Sequence, residues 1–200
     1  MVQLNNNEIL TKEFWNNRWE TKQTGWDIGY ASPAIEAYFN QYPNKECAIL
    51  IPGCGNAYEA AFLLNAGFKN ISLIDIAPKA VEGLQQKFSN HPEIKIYCED
   101  FFDHQHKYDI IVEQTFFCTF LPEQRKKYVN KASSLLNNHG KIIGVLFDKI
   151  FEQQGPPFGG NDLEYKEAFE PLFVIKTMDK CYNSISPRAG SEFFINLIKK

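Results

Sequence analysis

From residue 48 onward, short apolar runs alternate with stretches of helical pattern. The runs Ala48–Ile51, Ile71–Ile74, Ile94–Cys98, Ile110–Glu113 and Lys141–Phe147 read as five strands. Three helices lie between them. Ala57–Asn65 stops at Gly67, a natural helix end. Pro78–Phe88 opens on a proline, whose missing N–H costs nothing in a first turn. Pro122–Leu136 also opens on proline, with Gly140 expected to close its turn. A Gly/Pro-rich loop, Gly155–Gly160, then interrupts the rhythm. A helix over Asp162–Phe169 follows, then runs at Phe173–Asp179 and Glu192–Ile198, expected as an antiparallel pair at the sheet edge. Residues 1–46 stand outside the repeat, with short helices at Glu13–Glu20 and Pro33–Tyr42 around a Gly25–Ala31 turn. Strand–helix alternation predicts an α/β fold.

The chain has 200 residues and no repeat or linker, so one domain is expected: a cover segment at 1–46 on an α/β core at 47–200. Net charge is -3, which gives no electrostatic reason to expect nucleic acid or membrane as partner. No apolar run approaches the roughly 20 residues that span a bilayer. The opening MVQLNNNEIL lacks the charged-then-apolar pattern of a signal peptide. The cysteines (Cys47, Cys54, Cys98, Cys118, Cys181) are scattered and show no C-x-x-C spacing. They read as reduced thiols in a cytoplasmic protein, with neither a disulfide framework nor a metal site.

The unit that carries chemistry is Cys47–Asp75: strand, glycine turn, helix, strand, acid. Glycines after the first strand let the backbone approach a ligand, and Asp75 at the end of the second can accept both hydroxyls of a ribose. A dinucleotide fold wants G-x-G-x-x-G, but Gly53-Cys54-Gly55-Asn56-Ala57-Tyr58 puts tyrosine third, which weakens a nicotinamide reading. S-adenosylmethionine has no phosphate. It needs close backbone contact, a ribose carboxylate and an adenine slot, and Glu99-Asp100-Phe101-Phe102 can supply the slot. The plainer alternative is a tight turn and an aspartate that caps the next helix. Trp15, Trp19 and Trp26 precede the core; the first two share a helix face, and indole is the best partner for a soft cation. Apolar anchoring of the N-terminal segment explains Trp15 and Trp19 equally well.

Seven strands with a late edge-forming pair resemble the class I methyltransferase sheet, mostly parallel with helices on both faces. The residues together resemble the thiopurine methyltransferase family, and more closely its halide and thiol (thiocyanate) branch. The markers are Phe14-Trp15, Arg18-Trp19, Gly25-Trp26-Asp27-Ile28-Gly29, Ser32-Pro33, Ile51-Pro52-Gly53-Cys54-Gly55, Asp75-Ile76, Glu99 to Phe102, Tyr108-Asp109-Ile110, Phe116-Phe117-Cys118 and Gly155-Pro156-Pro157-Phe158. The resemblance implies that Trp15, Trp19 and Trp26 cover S-adenosylmethionine, Gly53 contacts its methionine portion, Asp75 binds the ribose, and Asp100 and Phe101 bracket the adenine. It also implies that Gln114 faces the cofactor near the transferred methyl. There the thiopurine branch has Arg and the halide/thiol branch often Tyr, so Gln114 is a departure that bears on acceptor preference.

Methyl transfer from a sulfonium needs its reactants held in line more than it needs a general base. Glu113, at the end of strand four, is a candidate to accept a thiol proton or orient the cofactor; equally, it can serve nearby backbone. Arg188 is a candidate to hold an anionic acceptor, against the reading of a surface arginine on a turn. Cys118 reads as a packed thiol. The histidines (His91, His104, His106, His139) all fall in expected loops, and His104 and His106 beside Asp103 read as solvated, not as a metal site. Phe116, Phe117, Phe151 and Phe158 are expected to form a dry pocket, with Gly155–Gly160 as its lid or an ordered turn. The expected protein is a monomer or weak homodimer that methylates a small-molecule acceptor: sulfur nucleophiles first, halides second. The rivals are a thiopurine-like or other small acceptor, a non-catalytic S-adenosylmethionine binder, and a nicotinamide oxidoreductase.

Overall fold

The computed structural model describes residues 11–152 and 155–200. The opening MVQLNNNEIL therefore lies outside the described residues. The strands are β1 (Ala48–Pro52), β2 (Asn70–Asp75), β3 (Ile94–Cys98), β4 (Tyr108–Gln114), β5 (Leu136–Phe147), β6 (Phe173–Lys180) and β7 (Glu192–Lys199). They form one seven-stranded sheet in the order β3-β2-β1-β4-β5-β7-β6. β1 to β5 pair in parallel, and β7 runs antiparallel between β5 and β6. The late pair thus lies at the edge, as its position in the chain implied.

Burial on both faces explains the near-continuous apolar runs. Along β1, Leu50 turns to one face while Ile49 and Ile51 turn to the other. The first face packs on α5 (Arg125–Leu135) and α6 (Asp162–Phe169) through Tyr128, Val129, Ala132, Tyr165 and Phe169. The second packs on α2 (Pro33–Asn40), α3 (Tyr58–Asn65) and α4 (Pro78–Lys87) through Ile35, Phe39, Ala60, Leu63 and Leu84. Helix α1 (Lys12–Glu20) starts at Thr11, whose hydroxyl accepts from Phe14 N at 3.2 Å. Among the described residues, no helix is long and apolar enough to cross a membrane.

Three expectations need correction. The helix expected from Pro122 is a 3₁₀ turn at Pro122–Gln124 followed by α5. β5 starts at Leu136 and not at Lys141, because Leu136 pairs with Tyr108 across a register shift in β4. Gly140 and His139 therefore sit within β5 and close no turn. His104 is not solvated but 1% exposed. Its Nδ1 meets Glu99 at 2.5 Å and its Nε2 meets the Tyr108 hydroxyl at 2.6 Å, so both ring nitrogens have partners.

Sheet order reverses between β1 and β4. In open α/β sheets, ligands bind beyond the carboxyl ends of the strands at such a switch point.

Candidate active site

A cavity of about 620 Å³ opens at that point. Its floor is the turn after β1. Gly53 (φ +56°) and Gly55 (φ +51°) both take left-handed backbone, which glycine adopts without penalty. A Cβ on Gly53 would lie 2.3 Å from Phe116 Cδ2, and one on Gly55 3.2 Å from Trp19 Cζ2. The rings of the cavity wall therefore rest directly on bare backbone.

Asp75 ends β2 beside this turn and is buried. Its Oδ2 accepts from Gly55 N at 3.0 Å and its Oδ1 from Ala77 N at 2.9 Å. The carboxylate thus ties the glycine turn to the start of α4, and it also lines the cavity. Burial raises its pKa, opposed by the backbone N–H groups of Ala77 and Gly55. A carboxylate offers about four acceptor sites, so capacity remains for a ligand's hydroxyls. Asp75→Ala should weaken S-adenosylhomocysteine binding by about 1–3 kcal/mol, the worth of charge-assisted hydrogen bonds. Calorimetric titration checks this, and unchanged affinity would leave Asp75 as a brace between the glycine turn and α4 only.

At the end of β3, Asp100 lines the cavity while its Oδ1 accepts from Phe102 N at 2.8 Å. Phe101 also lines it, stacked 5.5 Å from Tyr128 and edge-on to Phe116 at 5.2 Å. Opposite stand the tryptophans. Trp15 and Trp19 of α1 both meet Trp26 edge-to-face, at 5.7 and 6.1 Å, and all three face the cavity. Arg188 lines the far end; its Nη2 donates to the Trp26 carbonyl at 3.1 Å and its Nη1 approaches Glu192 Oε1 at 3.5 Å.

The end of β4 differs from expectation. Glu113 does not line the cavity: it is 1% exposed and points toward α5. Its Oε1 accepts from Phe116 N (2.9 Å) and Phe117 N (2.7 Å), and its Oε2 from the Tyr128 hydroxyl (2.8 Å). Burial pushes its pKa up to about 7. Strand alternation sends Gln114 the other way, into an adjoining recess that shares Trp19, Trp26, Gly53, Gly55 and Thr115 with the main cavity. The main wall is formed instead by Thr115, a β-branched residue at φ +56°. Nothing in the sequence marks that conformation.

Of the expected phenylalanines, Phe116 and Phe151 line the cavity. Phe117 is core, against Tyr128, Tyr165 and Phe169. Phe158 is held aside by its N–H, 2.6 Å from the Cys118 carbonyl, and Pro156 and Pro157 take the wall. The Cys118 thiol donates to the Thr115 carbonyl at 3.2 Å, and burial pushes its pKa up, so it stays a thiol. Lys149, which no motif in the sequence marks, also lines the cavity. Its position just past β5 is where ligands gather, so extending the strand-end rule by two residues finds it. Among the described residues, no cluster of three His, Cys, Asp or Glu could hold a metal.

The donor set fits S-adenosylmethionine. A bare backbone floor, a strand-end carboxylate, an acid beside an aromatic and three indoles suit an amino acid, a ribose, an adenine and a soft cation. Fold and site together define a class I S-adenosylmethionine-dependent methyltransferase. The chain belongs to the thiopurine S-methyltransferase family, whose model it matches over residues 10–193. It is 30% identical to "Probable thiol methyltransferase 2" of Arabidopsis thaliana, over 89% of this chain and 81% of that one. It is 26% identical to "Thiocyanate methyltransferase 1" of Brassica oleracea, over 92% of this chain and 84% of that one. In fold it is similar to the 1,6-didemethyltoxoflavin-N1-methyltransferase of Burkholderia thailandensis (TM-score 0.77, 14% identity), covering 100% of this chain and 92% of that one.

Proposed function

We propose that this enzyme methylates a small soft nucleophile, with sulfur acceptors (thiols, bisulfide, thiocyanate) ahead of halides. One observation carries the reading. No histidine lines the cavity among the described residues, and its three carboxylates, Asp75, Glu99 and Asp100, lie at or just past the ends of β2 and β3. The end beyond β4 and β5 is mainly apolar, with Phe116, Phe147, Phe151, Pro156 and Pro157, beside Thr115, Thr119, Ser191 and the cations Lys149 and Arg188. Such a site suits an acceptor that is already an anion near neutral pH and needs no base.

When bound, S-adenosylmethionine supplies an electrophilic methyl group on a sulfonium sulfur. In this reading Gly53 brings backbone against the amino-acid portion, Asp75 takes the ribose hydroxyls, and Asp100 and Phe101 hold the adenine. Residues 11–46 cover the cofactor through Trp15, Trp19 and Trp26, whose ring faces favour a cation. The apolar wall strips water from a soft anion, and Arg188 holds the anion in line with the methyl. The thiols are free, with Cys98 exposed, which suits a reducing compartment such as the cytoplasm.

The test has two parts: titration with S-adenosylhomocysteine, and an assay of methylated product with bisulfide, thiocyanate, a small neutral thiol and iodide. Micromolar binding and turnover favouring sulfur are expected. Binding without turnover on any acceptor would make the protein a non-catalytic binder.

A further inference from the structure

The cavity's charges are separated by sheet topology. Its carboxylates lie at or just past the ends of β2 and β3, at one end of the order β3-β2-β1-β4-β5-β7-β6. Two of its cations lie on the other side of β4. Lys149 follows β5, and Arg188 precedes β7, whose antiparallel start at Glu192 faces Phe147 at the end of β5. The other two belong elsewhere: Lys127 sits 3.9 Å over Phe102 beside the adenine slot, and Arg18 sits 4.9 Å over Phe14 of its own helix.

Lys149 and Arg188 share an aromatic shelf. The Arg188 guanidinium lies 5.2 Å from the Phe147 ring, Phe147 meets Phe151 edge-to-face at 5.0 Å, and Lys149 Nζ lies 5.3 Å from the Phe151 ring. Arg188 is partly engaged by the Trp26 carbonyl and by Glu192, which leaves some of its five N–H donors for a ligand. Lys149 has no carboxylate within ion-pair distance among the described residues; the neighbouring Asp148 pairs with Lys180. A monatomic or diatomic anion at the methyl needs one of these cations. Lys149 is exposed at the rim of the cavity, so its ammonium is open to a second negative group on a ligand whose first sits at Arg188.

We propose that the preferred acceptor is an acidic thiol: a small organic molecule that carries a carboxylate or similar anion a few bonds from its sulfur. The inference rests on the sulfur-methylation reading above. The anionic group lies at Lys149, the carbon body rests on Phe147 and Phe151, and Arg188 draws the thiolate toward the methyl. The thiol releases its proton to solvent. The thiolate sulfur forms a bond to the methyl carbon, the bond from that carbon to the sulfonium breaks, and its electron pair stays on the departing sulfur. The products are a thioether and S-adenosylhomocysteine.

The experiment compares kcat/KM for 3-mercaptopropionate and its neutral amide, 3-mercaptopropionamide, in the wild type and in Lys149→Gln, each at matched thiolate concentration. The wild type is expected to prefer the carboxylate about tenfold or more, the scale of a charge-assisted contact. In Lys149→Gln the ratio should fall toward one, with unchanged S-adenosylhomocysteine affinity showing that the fold is kept. Equal kcat/KM for the two thiols in the wild type overturns the proposal while leaving sulfur methylation intact. So does a preference that survives the substitution. If bisulfide and both thiols all go unmethylated by protein that binds S-adenosylhomocysteine, the functional reading itself falls, and the inference with it.

Discussion

Replacing Glu113 by alanine should cost this enzyme about 3–5 kcal/mol of stability, because it strands two buried donors and a half-buried one at once. Phe116 N, Phe117 N and the Tyr128 hydroxyl all give their hydrogen bonds to this one carboxylate, and Tyr128 is fully buried. For a chain of this size the melting temperature should fall by roughly 10 °C. Activity should suffer as well. The carboxylate folds the chain back after β4, and that turn sets Thr115 at φ +56° and seats Phe116 against Gly53. Without it, cofactor affinity should drop by about tenfold or more. An unchanged melting temperature would show that water or a rearranged turn satisfies those donors.

Glu113→Gln is the milder probe, since its carbonyl still accepts the two backbone N–H groups. It also removes a titration. Burial raises the folded pKa of Glu113 from the ordinary 4.5 to about 7. Below the lower value the carboxyl is protonated both folded and unfolded. Between the two, the folded protein holds a proton that the unfolded chain has released, so stability declines as pH rises through this window and levels off above it. The span corresponds to something on the order of 3 kcal/mol. Glu59 and Asp75 are shifted upward by burial too, so the informative quantity is the difference between wild type and variant. Urea unfolding from pH 4 to 8 should show the variant gaining on the wild type as pH rises. Parallel curves would mean the carboxylate is ionised throughout.

Much of this architecture was legible because burial writes it into residue order. β3 falls at Ile94–Cys98 and α6 at Asp162–Phe169, both as the apolar pattern implied. The helix start is marked by Asn161, whose side chain accepts from Glu164 N. Trp15 and Trp19 reach one cavity because residues four apart share a helix face. The end of β4 was not legible. Which of Glu113, Gln114 and Thr115 faces the ligand depends on the parity of the strand and on where the chain leaves it. Both are set by donors from α5 and the following turn, distant or unreadable in sequence. His104 failed for a related reason. Its neighbours look solvated, and only the path of the chain from β3 to β4 brings Glu99 and Tyr108 to opposite sides of its ring. Lys149 resembles any surface lysine until Phe151, packed edge-on to Phe147, is seen beneath it.

Gly53→Ala should be the most damaging single methyl group that can be added to the cavity. Two independent costs coincide. The position sits at φ +56°, where a side chain costs about 1 kcal/mol or more. The new Cβ would also lie 2.3 Å from Phe116 Cδ2 and 2.9 Å from Cε2. Phe116 cannot retreat easily, because its ring packs edge-on against Phe101 at 5.2 Å and Phe120 at 5.0 Å. Overpacking of this kind costs about 1–3 kcal/mol, so the total is roughly 2–4 kcal/mol. Part of it falls on the cavity floor itself. S-adenosylhomocysteine affinity should therefore fall by about 100-fold, more than the melting temperature alone would suggest. Gly83→Ala gives the opposite sign under the same chemistry. That glycine lies in α4 with open space around it and no positive φ, so alanine should stabilise the protein by about 0.5–1 kcal/mol through helix propensity. If Gly53→Ala binds S-adenosylhomocysteine as tightly as the wild type, the turn after β1 is not the surface on which the cofactor rests.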